Sequence, residues 1–337
     1  MKWKVPANPI HAMKGRKARI LIRWKQRPQN VVSSSAPVAP TVTIPFEFGL
    51  GWDHAPGVYE DPLTLKHIHD KDDELLLGVD NDDDVDLRNT VFTDNQGKKM
   101  DFPAVYNQGN LGSCTGNALA FCYQFDMLKE KISFGTNKSS IPSRLFIYYY
   151  ERASEGTIND DKGAKISSGV KKVLDIKGVC SETDWAYYDK TNGNETYKTE
   201  PSTYAIDNAK IHKVISQTDA FVALHNTVNN LKANLRKGFP IAFGFHVYQS
   251  FYNISKDNNF TMPFPVNGDT FKGHAAVFVG FKEQEKVFIV RNSWGSIWGD
   301  NGYFYMPYDF IEGVYTDPKD NKVKPYVSDF WSILEVS

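Results

Sequence analysis

Cysteine is scarce in this chain. Its 337 residues hold three, Cys114, Cys122 and Cys180, too few for the disulfide framework on which small secreted folds rely. With Cys114 kept free, a single bridge is possible, Cys122 to Cys180. The simplest reading is a protein of a reducing compartment, held by packing rather than cross-links. Long apolar runs are also missing: none approaches the roughly 20 residues of a membrane span. The opening stretch, Met1-Lys2-Trp3-Lys4-Val5-Pro6, lacks an apolar core, so no secretory signal peptide is expected. Nor does one sign of charge dominate. A net charge of -1 excludes a global pull toward nucleic acid or membrane. No internal repeat is found.

What is present is apolar and aromatic material, 41% and 14% of residues, ample for a packed core. It is unevenly placed. Residues 1–30 are basic, with Lys2, Lys4, Lys14, Arg16, Lys17, Arg19, Arg23, Lys25 and Arg27 and no acid. An apolar patch, Ala18 to Trp24, interrupts them. The bland reading is a solvated tail; the functional one is a contact with nucleic acid, an anionic surface or acidic residues elsewhere in the chain. Val31 to Thr43 reads as a Ser/Pro/Ala linker. Ile44 to Gly57 alternates Phe46, Phe48, Leu50 and Trp52, which suits an extended, half-buried segment. Asp70 to Asp86 is an acidic connector with one apolar patch, Leu75-Leu76-Leu77. His67 and His69 beside it match no zinc spacing and read as part of a solvated cluster. No metal or organic cofactor is expected.

Gln108-Gly-Asn-Leu-Gly-Ser-Cys114 is a Gly-rich loop that runs into an apolar segment with helical spacing, Ala118 to Leu128. Cys114 therefore opens a helix, where the amide dipoles favour a thiolate. Apolar residues surround most of that helix, as in a buried central element. Ser143 to Arg152 reads as a second helix, with a strand left open. Gly163 to Lys177 reads as a third and Thr227 to Lys237 as a fourth. Then the period becomes two. Ile241 to Tyr248, Ala275 to Phe281, Lys286 to Arg291, Gly302 to Met306 and Phe330 to Val336 read as strands. Helices first and antiparallel strands later predict an α+β chain with segregated halves.

Two distant motifs complete the set. Gly273-His274-Ala275-Ala276-Val277 places a His at the start of a strand, and Asn292-Ser293-Trp294-Gly295 opens a string ending in Asn301-Gly302-Tyr303. With Gln108 and Cys114, in that order, these residues resemble the papain/cathepsin family of cysteine peptidases over roughly Val85 to Ser337. The resemblance implies a two-lobed fold, a helical half and an antiparallel β-barrel-like half with the cleft between them. It implies peptide or protein substrates cut by a cysteine endopeptidase through a thioacyl-enzyme. Cys114 would be the nucleophile, His274 its proton shuttle and Asn292 the orienter of the imidazole. Gln108 would help hold the oxyanion, and Trp294 would cover the His–Asn bond. Gly163 and Ala164 would pair with the substrate backbone, and Ser328 and Asp329 would line the main specificity pocket, with a basic residue favoured. His212, His225 and His246 sit in no comparable context.

The chain departs from the family at Thr115, where Trp is usual, in the missing disulfides, and in an N-terminal segment without the long charged propeptide helix. The absent bridges suit a cytoplasmic, bacterial or viral relative. Residues 1–84 are expected to be a regulatory, propeptide-like segment acting as an intramolecular inhibitor, with Ile44–Gly57 in the cleft. Residues 85–337 would be the peptidase, a monomer. Three other readings share the scaffold: a catalytically silent binding protein, a thiol acyltransferase, and an aminopeptidase or carboxypeptidase variant, against which the lack of a His-rich occluding loop favours an endopeptidase.

Overall fold

Local signals start most of the elements. In a computed structural model, which describes residues 50–52, 83–213, 220–266, 269, 271–317 and 321–336, three short strands come first, β1 (Val85–Asp86), β2 (Phe92–Thr93) and β3 (Lys99–Met100). The sequence features assigned to the basic tail, the linker, His67, His69 and the Leu75-Leu76-Leu77 patch lie outside the described residues. Helix α1 (Cys114–Lys129) follows, and every residue of it except Lys129 is buried. Gly116 lets α1 approach its neighbour closely, because a Cβ there would meet the Arg144 carbonyl.

That neighbour is α2 (Arg144–Glu155), capped by the Ser143 hydroxyl on the Phe146 amide at 3.1 Å and ended by Gly156 in the left-handed region. The strand alternative for Ser143–Arg152 is thereby settled in favour of helix. The third expected helix is a short turn, α3 (Ile166–Ser168), that widens into a π-helical stretch, Gly169–Leu174. Gly178, at φ 77°, stands just past it. Helix α4 (Thr203–Ala209), capped by Ser202, is too short and mixed for periodicity to reveal. Strand β4 (Phe221–Ala223) and α5 (Val228–Arg236), capped by Thr227, lead into the sheet.

The sheet continues with β5 (Ile241–Val247), β6 (Lys272–Lys282), β7 (Val287–Arg291) and β8 (Tyr303–Pro307). A short helix, α6 (Asp309–Glu312), and a hairpin, β9 (Val314–Thr316) with β10 (Val323–Pro325), precede β11 (Val327–Ile333). Spatial order is β4-β11-β5-β6-β7-β8, with β1 beside the far end of β6. Every pairing is antiparallel. Among the described residues β4 and β8 do not meet, so the sheet is open rather than a closed barrel. The last strand begins earlier than Phe330, at Val327, and its register shifts between Ser328 and Trp331, with Asp329 at φ 61°. That irregularity hides the alternation on which sequence reading depends.

Helix and sheet share one core. Phe121 and Phe125 of α1 pack with Phe102 and Phe92, and the Arg291 guanidinium lies 4.1 Å from the Phe121 ring. Arg291 is itself buried and satisfied by the carbonyls of Pro103 and Ala104 and by the Tyr303 hydroxyl. Truncating Phe121→Ala is expected to cost about 3–5 kcal/mol, read as a lowered denaturant midpoint with unchanged slope. All three cysteines are free and buried, so the single bridge left open by the sequence does not form.

Candidate active site

Cys114 sits where the chain turns from the Gln108–Ser113 loop into α1. The loop is fastened to the segment after β7 by backbone bonds on both sides of Asn107. Gln108 N donates to the Ser293 carbonyl at 2.8 Å, and Gly295 N to the Tyr106 carbonyl at 2.9 Å. The Gln108 amide is oriented as well. Its Oε1 accepts from Ser293 Oγ at 2.5 Å, and its Nε2 donates to the Leu111 carbonyl at 2.9 Å.

His274 lies on β6 and Asn292 directly follows β7, its strand neighbour. His274 Nε2 is 2.8 Å from Asn292 Oδ1. Because the amide oxygen accepts, the ring proton belongs on Nε2, and Nδ1 keeps a lone pair. That Nδ1 is buried and has no hydrogen-bond partner among the described residues. Trp294 lies over the imidazole, 4.9 Å between ring centroids, and is itself backed by Tyr252 and Trp298. The thiol of Cys114 is held against the amide of Ala275, the residue after His274, and against those of Gly51 and Thr115.

Burial sets the protonation of both groups. It pushes the Cys114 thiol up to about 12, against the amides that favour a thiolate. It pushes His274 down to about 4, against the Asn292 bond. In this arrangement the pair is therefore a neutral thiol and a neutral imidazole at pH 7.

The cover is residues 50–52. Gly51 O accepts from Ala164 N at 3.1 Å, and Trp52 N donates to the Gly273 carbonyl at 3.3 Å. Gly163, at φ 92°, has no room for a Cβ, which would fall 1.7 Å from Gly51 O. The Trp52 ring lies so close to Gly244 that a Cβ there would overlap it. Trp52 meets His246 edge-on and directs Nε1 at Asp329 Oδ2, 3.4 Å away. Asp329 Oδ1 accepts from Trp331 Nε1 at 2.7 Å. Buried and only partly compensated by these donors, the Asp329 carboxyl is pushed up to about 6.

The structure thus brings Gln108, His274, Asn292 and Trp294 into one connected group beside Cys114. Gly163, Ala164 and Asp329 surround Gly51–Trp52, and buried Ser328 pairs with Gly244 across β11 and β5. Sequence reading put Trp52 in a segment expected in the cleft without assigning it the recess at Asp329, and it missed the roles of His246 and Ser293. It also missed wholly buried Glu151, which accepts from Thr115 Oγ1 at 2.7 Å and is pushed by burial up to about 8. A Thr after the nucleophile was the visible signal; its acidic partner, 36 residues on, had none.

The model of the papain family cysteine proteases matches residues 150–314. A peptidase C1-like protein of Acanthamoeba polyphaga mimivirus, itself uncharacterised, is 38% identical over 237 residues, 68% of this chain and 70% of that one. The chain belongs to the papain family of cysteine proteases. Xylellain, a cysteine protease from Xylella fastidiosa, is 32% identical, superposes with a TM-score of 0.65, and is covered over 97% of its length by 87% of this chain. A procathepsin B of Trypanosoma congolense shares the fold at 13% identity and a TM-score of 0.52, with 86% of each chain covered. The papain-like α+β architecture and cysteine-type peptidase activity follow from this membership.

Proposed function

We propose that the chain is a cysteine endopeptidase in which Cys114, His274 and Asn292 form the catalytic triad, and that it is held inactive by its own N-terminal segment. The observation that carries the first half is the wholly buried imidazole, bonded to Asn292 through Nε2 with Nδ1 unpaired and the Cys114 thiol on the next amide along. His274 Nδ1 takes the thiol proton. The sulfur bonds to the scissile carbonyl carbon, and the carbonyl oxygen becomes an oxyanion met by the Cys114 amide and by Gln108. As the C–N bond breaks, His274 returns the proton to the leaving amine. Water, deprotonated by the same ring, then hydrolyses the thioester. Asn292 keeps the ring in the tautomer this sequence requires. Hydrolysis of a fluorogenic peptide once the N-terminal segment is removed, lost in Cys114→Ala, tests it.

The second half rests on Gly51–Trp52. These residues occupy the rim amide of Ala164, the carbonyl of Gly273 and the recess at Asp329, which a substrate would use. They also cover the thiol. A substrate side chain entering the recess in place of Trp52 meets a carboxylate, so a basic residue two positions before the cut is favoured over Phe. With Trp52 gone the carboxyl is less desolvated than in the covered chain, and its charge is gained as pH rises through its titration. The Arg-to-Phe ratio of kcat/KM is expected to climb as pH rises from the acid side and to become flat in Asp329→Asn. A ratio near one at every pH would reject Asp329 as the selector.

A further inference from the structure

The Gln108–Ser113 loop has no covalent anchor, since all three thiols are free. It must nevertheless hold Cys114 and Gln108 in register with the rim at Gly163–Ala164. One largely covered carboxylate reaches both. Asp161 Oδ1 accepts from Gly112 N at 2.9 Å and from the Tyr148 hydroxyl at 2.6 Å. Its Oδ2 pairs with Lys190 Nζ at 2.6 Å, and its side chain is 9% exposed. Gly112 stands two residues before Cys114, and Asp161 three residues before Ala164.

The surrounding contacts run the same way. Lys190 N donates to Asn110 Oδ1 at 2.8 Å. The Tyr187 hydroxyl donates to the Gln108 carbonyl at 2.9 Å and lies 2.5 Å from Ser113 Oγ. Wholly buried Leu111 packs with Leu145, Tyr148 and Ala164. Gly112 is needed for the approach, because a Cβ would sit 2.8 Å from Asp161 Oδ1. An ionised carboxylate with three donors forms a strong, directional tie.

We propose that Asp161 is a positioning residue that locks the nucleophile loop to the substrate-pairing rim, so that the two move as one body. It touches no reacting atom and acts through Gly112 and Ala164. The proposal builds on the triad reading above, but it predicts a physical coupling that exists whether or not that reading holds.

Amide hydrogen exchange on the full chain tests it. Asp161→Asn keeps an acceptor for Gly112 and loses the ion pair with Lys190. It is expected to speed exchange about tenfold or more in both 109–113 and 162–165, while β6 and β7 stay unchanged. Lys190→Met should reproduce the pattern, and Lys190→Arg should restore wild-type protection. On the hydrolytic side, with the N-terminal cover removed from parent and variant alike, kcat of Asp161→Asn is expected to fall about 10- to 100-fold through misplacement of the sulfur, with the pH profile keeping its shape. Faster exchange confined to 160–165, or faster exchange in both segments with unchanged kcat, would overturn the proposal. If the chain hydrolyses no peptide even after its N-terminal cover is removed, the triad reading fails and the exchange arm alone decides the coupling.

Discussion

Alkylation of Cys114 by iodoacetamide at pH 7 is expected to accelerate about a thousandfold when the N-terminal segment is removed. The covered thiol is pushed up to about 12, so on the order of one molecule in 100,000 is thiolate at pH 7. Once the cover leaves, water and the imidazolium stabilise the thiolate, and most molecules ionise. The gain in thiolate is offset in part, because a less basic sulfur is intrinsically less nucleophilic, by about two powers of ten over such a range. A net factor near 10³ remains. The shortened chain should begin at Asp83, which retains Asp84 on the Glu283 amide at 2.7 Å and β1 on β6. Trp52→Ala in the full chain should move in the same direction, since truncating a ring with 5% exposure costs about 3–5 kcal/mol of docking. Equal alkylation rates for covered and shortened chains would show that residues 50–52 do not restrain the thiol.

The second large effect concerns the triad. Cys114→Ala and His274→Ala are each expected to lower kcat by about 10⁴-fold or more, and the double variant should be no slower than either alone. This non-additivity follows from the chemistry: without the sulfur the imidazole has no proton to take, and without the imidazole the thiol stays protonated. Gln108→Ala should cost about 10²–10³-fold, as one lost oxyanion donor does, and should leave iodoacetamide reactivity nearly unchanged. That contrast separates oxyanion support from thiol activation. Additive losses in Cys114→Ala/His274→Ala would instead mean that the two groups work independently.

The site was legible where chemistry forces residue types into fixed spacing. Gln108, Cys114, His274 and Asn292 each sit in a turn or strand signal with glycines around it, and the structure joins them. The helix from Cys114 and strands β5 to β8 were legible for the usual reason, periodicity. Elsewhere the local signal is poor. The π-helical stretch after Ile166 departs from a 3.6 period. Strand β11 carries two buried polar residues directly after Val327, Ser328 and Asp329, and Asp329 is held there by Trp331, Trp52 and backbone amides. Contacts such as Asp161 with Gly112, or Glu151 with Thr115, join residues dozens of positions apart, where no pattern links the two. His246 was passed over because its importance comes from Trp52 docking beside it, a tertiary event.

The backbone of Asp329 also constrains how this enzyme can diverge. At φ 61° the position admits Gly, Asn and Asp readily and resists branched or bulky side chains, at a strain of about 1–3 kcal/mol. Directed evolution for altered selectivity would thus find few viable exchanges at the floor of the recess. New preferences should arise instead from its walls, at Gly244 or His246, where the conformation is ordinary and only space must be negotiated.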